Sequence, residues 1–243
     1  MTVLAAGASA ASVALAQPMP PRRPTMERVE TPKPPPARTP EAQSAKTPKP
    51  EALHAQQPTD GVECLAKLRA AGWDAEPATP AAGRSECSVP EPVAVKRLRV
   101  RDKVIEFPDG PVLDCWFADR LGQWTSDLVI PVVFVGLGTE LKAVRTGPGF
   151  ECRNRNHASS GKLSAHATGL AVDVAGFDLA NGDHLLVTEA TDQAKVGVLR
   201  TLRTGACGWF TTILGPGTDA AHATHWHLDI MKHGLSEYYR ICQ

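Results

Sequence analysis

Twelve of the 21 prolines fall between Gln17 and Pro58, and that crowding decides where this chain can fold. Proline offers no N–H to a helix or a sheet and fixes φ near −65°. The same 42 residues interleave their prolines with Arg22, Arg23, Lys33, Lys46 and Lys49 and hold almost no large apolar side chains. They cannot bury a core, and residues 17–60 read as an extended, polyproline-like spacer. Ahead of them, Met1 to Ala16 is a run of small apolar residues ending in Ala14-Leu15-Ala16, which matches a cleavage site before Gln17. Residues 1–16 are therefore expected to be a signal-peptide remnant. Sixteen residues are short for a bilayer span, and no later stretch is apolar enough, so no membrane span is expected in the mature form. Folding is left to residues 61–243.

That region holds all six cysteines, all five tryptophans and seven of the eight histidines. Six cysteines without a C-x-x-C pair point to three disulfides rather than a cysteine zinc cluster, and so to a periplasmic or secreted protein. Of the fifteen possible connectivities, sequential pairing is the expectation: Cys64 with Cys87, Cys115 with Cys152, and Cys207 with Cys242. The 26 basic and 26 acidic side chains cancel, which leaves no electrostatic footprint for nucleic acid or anionic lipid. Helical apolar spacing runs over Val62 to Ala71, Leu113 to Trp124 and Gln193 to Thr204. Strand-like alternation or β-branched runs cover Lys96 to Phe107, Lys142 to Thr146, Ala171 to Val174 and His225 to Met231. This mixture predicts an α+β domain. Trp73, Trp116, Trp124 and Trp209 are expected in the core, and Trp226 on the face of its strand opposite the flanking histidines.

Two segments concentrate zinc-ligand chemistry: Ser164-Ala165-His166-Ala167-Thr168-Gly169-Leu170-Ala171-Val172-Asp173 and His222-Ala223-Thr224-His225-Trp226-His227-Leu228-Asp229. His225 and His227, two apart on a strand, leave the same face. His166 and Asp173 are seven apart, an odd interval that separates them on an uninterrupted strand, so the chain must bend between them. Gly169 can supply the bend. Two imidazoles and one carboxylate form a three-ligand set that leaves a position for water, the arrangement of catalytic zinc. His54, His157, His184 and His233 stand alone and are read as ordinary surface residues.

The first segment fits S-x-H-x-x-G-x-A-x-D at every fixed position and the second supplies H-x-H. This paired pattern resembles the zinc peptidases that include lysostaphin and D-alanyl-D-alanine peptidases; the non-catalytic hedgehog signalling domain is similar in fold. More narrowly, residues of about 61–243 resemble the bacterial extensin-like C-terminal domain family. The likeness rests on Leu113-Asp114-Cys115, Phe150-Glu151-Cys152-Arg153-Asn154, Ala171-Val172-Asp173-Val174-Ala175-Gly176-Phe177 and Ala206-Cys207-Gly208-Trp209-Phe210. The resemblance implies a hedgehog/DD-peptidase-like α+β domain with a small antiparallel sheet flanked by helices. It implies one Zn²⁺ held by His166, Asp173 and His227, with Ser164 and Gly169 shaping the loop. Many D-alanyl-D-alanine dipeptidases of that superfamily carry a catalytic glutamate three residues before the last zinc ligand, where this chain has Thr224. His222 and His225 instead look like the penicillin-insensitive murein endopeptidase arrangement, which implies His225 as general base with His222 assisting.

Around this set, Asp229 shares the face of His227 and is a candidate to orient it, and Arg153 and Asn154 are candidates to grip a peptide carboxylate. The expected function is that of an exported zinc metallopeptidase acting on peptidoglycan, which hydrolyses amide bonds of murein stem peptides or cross-links. The competing expectation is a cell-wall-binding module that keeps the fold, with or without zinc, and has lost turnover.

Overall fold

The computed structural model describes residues 61–188, 190, 192–234 and 238–243. The expected signal-peptide remnant at 1–16, the spacer at 17–60 and His54 lie outside the described residues. Helix α1 (Gly61–Ala70) leads into strand β1 (Trp73–Pro77), followed by β2 (Pro92–Val100), β3 (Lys103–Glu106) and β4 (Val112–Asp114). Helix α2 (Cys115–Trp124) runs without a break through a π-helical turn, Thr125–Val129, into α3 (Ile130–Leu137). Then come β5 (Leu141–Thr146), β6 (Ala171–Leu179), β7 (His184–Leu186), α4 (Gln193–Ala206), β8 (Thr212–Leu214), β9 (Trp226–Asp229) and β10 (Ile241–Cys242). Among the described residues no helix is long and apolar enough to cross a membrane.

The α+β class holds, but the sheet is neither small nor purely antiparallel. Among the described residues ten strands join one sheet in the order β1-β2-β3-β5-β6-β9-β8-β10, with β4 on β2 and β7 on β6. The pairs β3–β5 and β8–β10 are parallel. The single strand expected over Lys96 to Phe107 is two strands, because the chain reverses at Arg101 (φ 56°) and Asp102 and pairs Val100 with Lys103. Alternation of side chains continues on both sides of so tight a turn, and the pattern alone does not show it. Likewise Leu113 and Asp114 belong to β4. The helix begins at Cys115, capped by the Asp114 carboxylate, which accepts from Trp116 N at 3.0 Å.

The helical run α2–α3 rests on the sheet through an aromatic cluster. Trp124 packs against Phe177 and Phe210, with ring centroids 6.2 and 5.7 Å apart, and Phe177 meets Trp226 at 5.9 Å. Trp226 is buried, and so are Trp73 and Trp124. Trp116 and Trp209 are only half-buried.

The disulfides correct two of the three expected pairs. Cys64 joins Cys115, Cys87 joins Cys152, and only Cys207–Cys242 follows the sequential scheme. Sequential pairing minimises loop length, but each doubling of a loop costs only about 0.6 kcal/mol, so packing decides. Helix α1 packs against the start of α2, which brings Cys64 to Cys115. The connection between β1 and β2 folds over Cys152, where Arg84 N donates to its sulfur at 3.3 Å. Three disulfides fit an extracellular or periplasmic protein.

Candidate metal centre

His166 sits in a single 3-10 turn, Ala165–Thr168, that Ser164 caps by accepting from His166 N at 3.4 Å. Gly169 ends the turn in the left-handed region at φ 70°. A Cβ there would lie 2.7 Å from Asp114 N and 2.8 Å from Val89 Cγ1, so the bend and the close approach both need glycine. Two residues later β6 begins. Asp173 is its third residue and stands directly opposite His227 on β9, where cross-strand partners share a face. Fold and bend together thus bring His166, Asp173 and His227 to one point.

Their polar atoms form a nearly equilateral triangle: His166 Nε2 to Asp173 Oδ1 is 3.2 Å, His166 Nε2 to His227 Nδ1 is 3.1 Å, and His227 Nδ1 to Asp173 Oδ1 is 3.1 Å. Two donors on a tetrahedral zinc, each about 2.0–2.1 Å from the ion, stand about 3.3–3.4 Å apart. The edges therefore fit a shared ion. The far nitrogen of each imidazole is held by an acceptor of its own. His166 Nδ1–H donates to the Gly149 carbonyl at 2.6 Å, and His227 Nε2–H donates to the Asp229 carboxylate at 3.1 Å. Those bonds fix the tautomers, so both remaining nitrogens turn lone pairs toward a carboxylate oxygen. Three acceptors facing each other at 3.1–3.2 Å call for a proton or a metal ion between them. Among the described residues the other cluster of ligand types, Cys64, Glu91 and Cys115, has its two sulfurs in a disulfide.

In metal-free protein a proton takes the ion's place. Burial opposes the charge on His227, but hydrogen bonds to Asp173 and Asp229 outweigh it and raise the imidazole to about 9. Burial would likewise raise the Asp173 carboxyl, yet bonds from His166 and His227 hold it well below the usual range. Because folding raises the His227 value from 6.5, its stabilisation is complete below about pH 6.5 and disappears as pH climbs through about 9. Zinc needs the neutral ring. Chelator-treated protein should therefore lose on the order of 3 kcal/mol of stability between those limits, while zinc-loaded protein changes little over the same range. Scanning calorimetry at several pH values reads both.

The neighbouring candidates separate. His225 Nε2 is 3.5 Å from Asp173 Oδ1. Burial lowers its imidazole and Asp173 opposes this, but His222, His227 and His166 reinforce the fall, so it remains neutral at lower pH than a free histidine. His222 is buried, its ring centroid 5.6 Å from those of both His225 and His227. Arg153 donates to Glu151 at 2.7 Å and approaches the outer oxygen of Asp173 at 3.7 Å, so it borders the site. Asn154 is taken up by the scaffold: its amide accepts from Arg84 at 3.0 Å and donates to Ala158 O at 3.0 Å. His184 pairs with Asp178, and His233 with Thr212; neither joins the triad.

Sequence reasoning passed over Gly149, whose carbonyl fixes the His166 ring, and Asp219, whose carboxylate lies 2.8 Å from His222 Nδ1. The signal for Asp219 was present, since Gly-Pro-Gly-Thr-Asp-Ala-Ala-His reads as a turn followed by a capping aspartate. Gly149 carries no such mark, because any residue has a carbonyl. Residues 62–243 match the family model described as extensin-like protein C-terminus. No curated protein matches the chain, and no solved structure does.

Proposed function

The chain belongs to the extensin-like C-terminal family, and from that premise we propose that it is an exported zinc-dependent peptidase of peptidoglycan, cutting amide bonds in murein stem peptides or their cross-links. The observation that carries this reading is the triangle of three acceptor atoms, its two rings fixed in their tautomers from outside, with a third imidazole, His225, at its edge. On the same reading the domain is a hedgehog/DD-peptidase-like fold extended by further strands. His166, Asp173 and His227 would hold one zinc ion. When bound, zinc supplies the acidity that makes water a nucleophile near neutral pH and the positive charge that polarises a carbonyl.

The chain's own groups do the rest. His225 accepts a proton at Nε2, for which its depressed basicity keeps it free. His222 assists as a second imidazole. Arg153, beside Asp173, steadies a carboxylate of the peptide. Asp229 and the Gly149 carbonyl keep the ligand rings aimed.

A wall-binding module without turnover is the second reading, and Thr224 favours it: the position of the dipeptidases' catalytic glutamate is held by a side chain with no acid–base capacity near neutral pH. Incubation with purified muropeptides separates the two. Hydrolysis products resolved by chromatography, lost on chelation and restored by zinc, support the peptidase. Binding to sacculi without any product supports the module.

A further inference from the structure

Asp219 is the residue of the histidine cluster that the proposed reaction has not used. It precedes the 3-10 turn Ala220–His222 in extended conformation, and its Oδ1 accepts from Ala221 N at 2.9 Å and His222 N at 3.1 Å. These two backbone donors aim the oxygen at the ring of the same residue they cap, where it stands 2.8 Å from His222 Nδ1. An ionised carboxylate only accepts, so Nδ1 must carry the ring's proton. Nε2 then holds a lone pair on the edge of the ring away from Asp219. The ring is buried beside His225 and His227, and among the described residues Nε2 has no hydrogen-bond partner.

Hydrolysis of a peptide amide to carboxylate and ammonium transfers both protons of the water to the leaving nitrogen. The C–N bond breaks, a C–O bond forms, and each O–H electron pair stays on oxygen. One imidazole carries one proton at a time, so two acceptors standing side by side suit the reaction better than one. Resting on the peptidase reading, we propose that Asp219 is a positioning residue that locks His222 in the Nδ1–H tautomer and so makes its Nε2 the second proton acceptor, beside His225.

The tautomer is read directly by long-range ¹H–¹⁵N correlation spectra of histidine-labelled, metal-free and zinc-loaded protein. The His222 signal is identified by its absence in His222→Gln. Wild type should show Nδ1–H. Asp219→Asn keeps an oxygen for the capping donors and for Nδ1–H but removes the charge. It should retain one zinc per chain and the tautomer, with kcat on muropeptides lowered about 10–100-fold and KM within about twofold. Asp219→Ala should populate both tautomers and lose more turnover. An Nε2–H ring in wild type, an unchanged tautomer in Asp219→Ala, or unchanged kcat in both variants overturns the proposal. A wild type that cleaves nothing, yet shows an Nδ1–H tautomer that Asp219→Ala turns into a mixture of both, defeats the peptidase reading and leaves the positioning role standing.

Discussion

Replacing Asp173 by Asn should give a protein that folds as well as the metal-free wild type and takes up no zinc. The substitution keeps the shape of the side chain and its place opposite His227 but changes what it offers. The carboxylate Oδ1 is one of three acceptors converging at 3.1–3.2 Å, and they are held together only by a proton or an ion. An amide nitrogen in its place brings two N–H groups, one for His166 Nε2 and one for His227 Nδ1, and so satisfies the triangle without any cation. Zinc would then have to displace two good hydrogen bonds and forgo its only anionic ligand. For wild type, zinc at about a thousand times its dissociation constant should stabilise the fold by about 4 kcal/mol, which raises Tm by about 8–16 °C for a domain of this size. For Asp173→Asn the same addition should shift Tm by less than about 1 °C, and metal analysis should fall from one zinc per chain to none. A variant that still binds stoichiometric zinc, or one that unfolds outright, would show that the triangle is not built around a cation.

What the sequence disclosed follows from how local each feature is. The bend between His166 and Asp173 was legible because an odd interval cannot place two ligands on one strand face, and Gly169 was the residue free to turn there; its φ of 70° is the outcome. The two histidines flanking Trp226 were legible from alternation alone, since a buried tryptophan fixes which way its neighbours point. Non-local features were hidden. The pairing of Cys87 with Cys152 depends on how the segment between β1 and β2 crosses the domain, and no periodicity encodes that. The Val-rich α3, Ile130–Leu137, reads locally as β-branched, yet it is helical because it continues α2 through the π-turn and ends on Gly138 at φ 62°: tertiary context overrides propensity. The number of strands was underestimated for the same reason, as β7, β8 and β10 have two or three residues each and are strands only by virtue of their partners.

Replacing His225 by Ala should leave the metal in place and remove the turnover. His225 is not one of the three converging ligands, and its nearest tie to them is the 3.5 Å approach of Nε2 to Asp173 Oδ1. Loss of the ring therefore leaves the triangle and its outer bonds to Gly149 and Asp229 intact, and zinc content should remain near one per chain. Turnover should fall because a positioned acid–base group contributes about 10²–10⁴-fold, and the drop should lie in kcat rather than KM. The site also permits a sharper test. The His225 side chain is 23 % exposed, so the cavity left by alanine opens to solvent, and added imidazole should restore part of the activity in proportion to its concentration. The same imidazole should do nothing for Asp173→Asn, which has no metal to work beside. Rescue of the first variant and not the second would separate the proton-transferring ring from the ligands that surround it. Unchanged muropeptide cleavage by His225→Ala would refute its role as base.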